Sequence, residues 1–245
     1  MIFISNHVIG KDATLRTMPR KKRTYGDVCG IARALDLVGE RWSLMIVREL
    51  LLGPKRFTDL RAGLPGVGPD VLSQRMRDLA AEGLVDKRKL PPPIGAQVYE
   101  LTELGRRLEP VVMALGEFGS HLPVPTGPGL RMSFDAHILS LRTLFAADRA
   151  DGFTARVELR LDGGPVYRAL VDDGELVLEQ GGADVPDVII TGDPGELLGV
   201  AHGRLPLADT ALQIDGDHAL GERFLTLFPL PEPAIAVVPA ALVGP

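Results

Sequence analysis

Residues 55–101, KRFTDLRAGLPGVGPDVLSQRMRDLAAEGLVDKRKLPPPIGAQVYEL, constrain the fold more than any other stretch of the chain. Phe57, Leu60 and Leu64 recur at i, i+3 and i+7 and mark the apolar face of a short helix. PGVGP turns the chain, and Pro69 opens a second helix at the position where its missing N–H is harmless. Leu72, Met76 and Leu79 form the buried stripe of that helix, leaving Asp70, Ser73, Gln74, Arg75 and Arg77 on its other faces. Gly83 ends it. LVDKRKL then runs out as a strand with Lys87, Arg88 and Lys89 in succession, PPPIGA turns, and QVYEL returns as the second strand of a hairpin.

Helix, turn, helix and basic hairpin, in that order, outline a winged helix-turn-helix. A B-form major groove admits one helix, and base edges are read by side chains that donate and accept, such as Arg, Gln and Ser. Flanking Lys and Arg hold phosphates and fix the register. Taken alone, a Gln/Arg/Ser helix face reads as ordinary solvated surface; the hairpin beside it points to DNA.

The chain also resembles the HxlR family of bacterial winged-helix regulators over about residues 25–122. The resemblance rests on CGIARALDLVGERWSLMIVRELLLGPKRFTDLRAGLPG, LSQRMRDLAAEGLV and LPPPIGAQVYELTELGRRLEPV, which fall in order. It implies a dimeric transcriptional regulator with the LSQRMRDL helix in the groove and the hairpin as wing. Thr58, Pro69, Asp70, Ser73, Gln74, Arg75 and Arg77 are the expected DNA-facing residues of the two helices. Lys87, Arg88 and Lys89 are those of the wing. Gly68-Pro69-Asp70 departs from the family's usual Ser/Pro/Asn-like residues, and an acid there repels phosphate.

A net charge of −5 is unexpected for a partner of DNA until it is divided along the chain. Residues 1–122 hold 19 Lys+Arg against 14 Asp+Glu, and residues 123–245 hold 8 against 18, so only the first half suits a polyanion. All six lysines lie at or before Lys89. The length of 245 residues suits one large or two ordinary domains. No run approaches the ~20 apolar residues that span a bilayer, so no membrane partner is expected. One cysteine excludes an internal disulfide and fits a reducing, cytoplasmic setting.

Residues 1–24 read as a flexible tail. The apolar start MIFIS lacks the leading positive charges of an export signal, and the Arg20–Arg23 run is either a phosphate-contacting arm or a solvated tail. Cys29 precedes a helix with Ile31, Ala34, Leu35 and Val38 on one side. In some relatives a cysteine here senses oxidants, but no positive neighbour promotes the thiolate. Cys29 is thus a redox candidate beside a packing reading. Trp42, Met45, Ile46 and Leu50 form the core stripe of the next helix. Thr102 caps a long helix with Leu104, Leu108, Val111, Leu115, Phe118 and Leu122 apolar; Pro110 inside it predicts a kink or two abutting helices. A stripe longer than one small domain can cover suggests a homodimer. Two-fold symmetry then predicts an inverted-repeat operator, with recognition helices about one DNA turn (~34 Å) apart.

PVPTGPG marks a linker, residues 123–130, before a second domain over residues 131–240. Phe134, Ile138, Leu141 and Phe145 describe an amphipathic helix. FTARVELRL alternates as a half-buried strand, with Thr154, Arg156, Glu158 and Arg160 outward. PVYRALV, ELVLEQ, DVIIT and TALQI supply four more strands, and Asp193 and Asp217 start short helices. Meander plus helices on one side is α+β. This half resembles the sterol carrier protein-2-like fold through DVIITGDPGELLGVAHGRL and LQIDGDHALGERFLTLF. That resemblance implies an antiparallel-rich sheet and an apolar tunnel for a lipid-like small molecule. Phe134, Phe145, Phe153, Leu197, Leu198, Phe224 and Phe228 are its candidate lining or, equally, plain core.

The scattered His137, His202 and His218 have no ligand spacing, so no metal site is expected. No phosphate-binding glycine loop or nucleophile elbow is present, and neither a cofactor nor an enzyme activity is expected. The expected protein is therefore a DNA-binding regulator that senses an apolar effector. The competing reading is a lipid-binding carrier or enzyme in which the winged helix serves only dimerisation.

Overall fold

A computed structural model describes residues 24–91, 93, 95–125 and 130–232. Residues 1–23 of the expected tail, with the Arg20–Arg23 run, part of the linker and the end of the second domain lie outside the described residues.

Two hydrophobic cores organise the chain. The first is built from α1 (Gly30–Val38), α2 (Ser43–Leu50), α3 (Phe57–Gly63), α4 (Pro69–Ala81), the hairpin β1 (Val85–Lys89) and β2 (Gln97–Leu101), α5 (Glu103–Arg106) and α6 (Glu109–Ser120). Leu60 and Leu64 of the first predicted helix are buried with Leu72, Met76 and Leu79 of the second, against Ile46, Val47 and Leu50 of α2. Pro69 stands in the first turn of α4, as its sequence position predicts. The hairpin pairs Lys87 with Tyr99 and Lys89 with Gln97, while an isolated bridge from Lys55 to Tyr99 ties it to the start of α3.

The long helix predicted from Thr102 divides into α5 and α6, the abutting alternative, with Pro110 in the first turn of α6. Thr102 accepts from the Gly105 N–H at 3.0 Å and donates to the Gly83 carbonyl at 2.6 Å. Gly105 is dictated by close approach, since a Cβ there meets the Leu84 carbonyl oxygen at 2.0 Å. We expect Thr102→Ala to cost about 1 kcal/mol, seen as a lower denaturation midpoint.

Two expectations fail in α1 and α2. Of the face expected on α1, Val38 is buried but Ile31, Ala34 and Leu35 are exposed, and Ala32 is buried in their place. In α2 Ile46 and Leu50 are buried as expected and Met45 is exposed, while Trp42 caps the helix at φ 79°, half-buried against the first core with Arg41 over its ring. Periodicity identifies an apolar face but cannot say whether the same chain covers it.

The second core lies between a five-stranded sheet and three helices. After α7 (Phe134–Thr143) come β3 (Ala155–Leu161), β4 (Val166–Asp172), β5 (Glu175–Gln180), β6 (Val188–Gly192), α8 (Pro194–Ala201), β7 (Gln213–Gly216) and α9 (His218–Leu225). The strand order is β5-β4-β3-β6-β7, antiparallel except for the β3–β6 pair. Ile138, Leu141, Leu197 and Phe224 from the helices meet Val157, Leu159, Ala169 and Ile190 from the strands. The last strand starts later than predicted because Thr210 and Ala211 belong to the preceding turn, where the Ala211 N–H donates to Glu196. Glu158 departs from its expected outward place. It is buried, accepting from the Ala183 N–H at 2.8 Å and from Arg160 at 2.7 Å. Those donors hold its carboxyl below the ordinary range despite the opposing cost of burial.

Candidate nucleic-acid interface

The capping of α3 and α4 fixes the outward face of the helix-turn-helix. Asp59 accepts from the Arg56 N–H as a capping box on α3. Asp70 lies in the first turn of α4, where a negative charge complements the helix dipole. With Leu72, Met76 and Leu79 turned inward, Gln74 and Arg77 face solvent and Ser73 is half-buried.

The polar side chains of α4 form a chain of contacts. Arg77 donates to Gln74 Oε1 at 2.7 Å, Gln74 donates to Asp78 at 2.7 Å, and Arg75 pairs with Asp78 at 2.7 Å. Arg75 also approaches Glu40 at 3.7 Å with little of its side chain exposed. It therefore braces α4 against the turn before α2, and the outward pair is Gln74 and Arg77. Thr58 is exposed on α3 and donates to Asp59.

On the wing, alternation puts Lys87 and Lys89 on one face and Arg88 on the other. Lys87 lies 5.7 Å from the centre of the Tyr99 ring. Arg88 makes two hydrogen bonds to Glu100, at 2.8 and 2.9 Å, which raise its pKa further. Lys87 and Lys89 keep their charge available.

The residues marked in the second half are packed with the core. Phe153, Leu197, Leu198, Phe224 and Phe228 are buried, and Phe224 and Phe228 meet edge to face at 5.0 Å. Phe134 and Phe145 are half-buried against them, and Phe145 borders a surface groove. Cys29 is exposed at the start of α1, its N–H donating to Asp27. Among the described residues no group of three or more His, Cys, Asp or Glu is placed to hold a metal ion. No described helix is long and apolar enough to cross a membrane.

A buried polar knot joins the two cores, and no motif announced it. Glu49 is fully buried at the end of α2. It accepts from Arg48 at 2.6 Å, from Lys55 at 2.6 Å and from the Ser133 hydroxyl at 2.6 Å. Gly63 leaves room for it, because a Cβ there would lie 2.3 Å from Glu49 Oε2. Lys55 Nζ is also 2.8 Å from Asp135 Oδ2, a charge contact lacking hydrogen-bond alignment. Asp135 Oδ1 accepts from the Tyr167 hydroxyl at 2.5 Å. Burial first, then these carboxylates, push the Tyr167 pKa well above its ordinary value. Only the Arg48–Glu49–Lys55 part lies close in sequence.

Comparison with known proteins follows this division. Residues 37–124 match the family model of the HxlR-like helix-turn-helix, and residues 133–223 match that of the MDMPI C-terminal domain, a description different from the sterol-carrier likeness drawn from their motifs. The chain is 40% identical over 103 residues to an HTH-type transcriptional regulator of Mycobacterium tuberculosis, covering 42% of this chain and 65% of that one. A Synechocystis HTH-type transcriptional regulator is 36% identical over 96 residues, 39% of this chain and 70% of its own. The Bacillus subtilis HTH-type regulator YybR is 33% identical over 107 residues, 42% of this chain and 83% of its own. The solved redox regulator HypR, in its oxidized form, is 30% identical and covers 40% of this chain and all of its own, with a TM-score of 0.37. The chain belongs to the HxlR-like helix-turn-helix family. It spans 65% of the length of its mycobacterial relatives.

Proposed function

We infer that this protein is a transcriptional regulator that binds an inverted-repeat DNA operator as a homodimer in the cytoplasm. Its second half would modulate binding through a small molecule with apolar character. The observation carrying this reading is the outward pair Gln74 and Arg77 on α4, beside a wing whose Lys87 and Lys89 form no ion pair among the described residues. Bidentate donors and acceptors on a helix suit major-groove base edges, and free wing lysines suit flanking phosphates. Arg75 and Arg88, each engaged with a carboxylate, contribute to the frame around those groups. The relatives' description as transcriptional regulators supports the same reading.

Two variants separate the roles. Arg77→Ala should lower affinity for the specific operator while leaving random DNA little affected, a discrimination worth about 1–3 kcal/mol. Lys87→Ala should weaken all sequences alike and flatten the slope of log K against log salt by about 1. Titrations of a labelled operator and a scrambled duplex at several salt concentrations read both. Equal losses on the two duplexes for Arg77→Ala would remove Arg77 from base reading.

A further inference from the structure

We propose that the cleft between the two halves is a binding site for an amphipathic anion, a carboxylate or phosphate on an apolar chain. The inference rests on the regulator reading for its purpose, and it moves the ligand from the packed core to the seam between the halves. One chamber, a groove of about 450 Å³ open to solvent, lies between the end of α2, α5, α7 and the β4–β5 strands. A second, of about 670 Å³, continues along α5 and α6 and shares Arg106, Arg142 and Leu176 with the first. Both volumes fall within the roughly 300–1,000 Å³ of small-molecule sites.

The lining has two characters. The first chamber is lined mainly by polar groups with Leu52 and Leu176 between them, and the apolar surface lies in the second, with Leu176, Met113 and Phe145. Arg106, Arg142 and Arg168 line the first chamber with Glu179 as its only acid among the described lining residues. Glu179 is held by Arg168 at 2.5 Å, and Arg142 is held by Glu109 at 2.5 Å. Arg106, common to both chambers, has no ion pair or side-chain hydrogen bond among the described residues. The second chamber adds Arg107 with Glu103 and Glu109, so across both chambers the arginines outnumber the acids, and the exposed Arg106 at their junction, unpaired among the described residues, favours an anion over a cation.

Occupation of this site has a direct route to the DNA-reading face. Leu51, Leu52 and Gly53 form its wall, and they lie between Glu49 and Lys55, the residues that the second half grips through Ser133 and Asp135. The same segment carries α2 into α3, the first helix of the helix-turn-helix. A ligand that prefers one position of this segment over another shifts DNA affinity by that difference.

Isothermal titration of the full-length protein with octanoate and with octyl phosphate, against octanol and octyltrimethylammonium, tests the site. We expect both anions to bind once per chain, with the controls at least tenfold weaker. Arg106→Glu, and separately Leu176→Glu on the apolar wall, should each weaken the anions at least tenfold. The ratio between the two anions identifies the preferred headgroup. Equal binding of octanol, unchanged binding in both variants, or no binding of either anion overturns the proposal. Salt-dependent retention on duplex DNA, measured on the same ligand-free preparation, keeps the two readings separate. DNA binding without anion binding defeats the site alone, and anion binding without DNA binding defeats the regulator alone.

Discussion

Replacing Lys55 by methionine should lower the unfolding free energy by about 3–5 kcal/mol, read from urea midpoints at unchanged slope. Lys55 stands between two buried carboxylates, 2.6 Å from Glu49 and 2.8 Å from Asp135. Methionine matches the stem of lysine, so little packing is lost, but both acids lose a cation in a place water does not reach. Among the described residues, Glu49 keeps Arg48 and Ser133, whereas Asp135 keeps only the Tyr167 hydroxyl. The loss should therefore concentrate on Asp135. Adding Asp135→Asn to Lys55→Met should recover part of the stability, because the stranded charge is gone. A loss below about 1 kcal/mol in the single variant would mean the knot behaves as a surface ion pair.

The second large effect concerns assembly. Leu115→Glu with Phe118→Glu should convert the proposed dimer to monomers in sedimentation and reduce affinity for the proposed operator by about 100-fold, since two linked half-sites typically gain about 10²–10⁴ over one. Both side chains lie on α6 and are about half exposed or more, at 50% and 64%. The opposite side of α6 is already occupied: Val112 and Met113 pack on the first core, and Thr143 of α7 contacts the Met113 sulfur at 3.4 Å. Two added carboxylates should thus leave the monomer fold intact while making an apolar two-fold contact repulsive. Ile31 and Leu35 on α1 are a second unpartnered apolar face, which the same sedimentation assay can test. A dimer that survives both changes would place the interface elsewhere.

The reading head was legible in the sequence because its determinants are local. The stripe Leu72, Met76 and Leu79, Pro69 at the helix start and the Thr102 cap each act within a few residues. The strands of the second half were legible for the same reason, though the parallel pairing of β3 with β6 was not, since strand periodicity carries no direction. Glu49 looked like any acid near a helix end. Its burial is created by Ser133, 84 positions away, and by Asp135 beyond it. Glu158 alternated correctly with Arg156 and Arg160 but was then covered by the segment around Ala183. Arg75 and Arg77 looked equivalent on α4 until Glu40 and Asp78 claimed the first. What stayed hidden was set by contacts distant in sequence.

The first core includes Leu139, a residue of α7 from the second half, and Glu49 is sealed in part by Ser133 at the start of that helix. During synthesis, then, the helix-turn-helix leaves the ribosome with one side of its core open and an acid awaiting its cover. It cannot reach its final packing until α7 has emerged. A protein made this way couples the maturation of its first half to the arrival of the half beside it. A fragment ending before α7 would be a poor stand-in for the full chain, in the cell and at the bench.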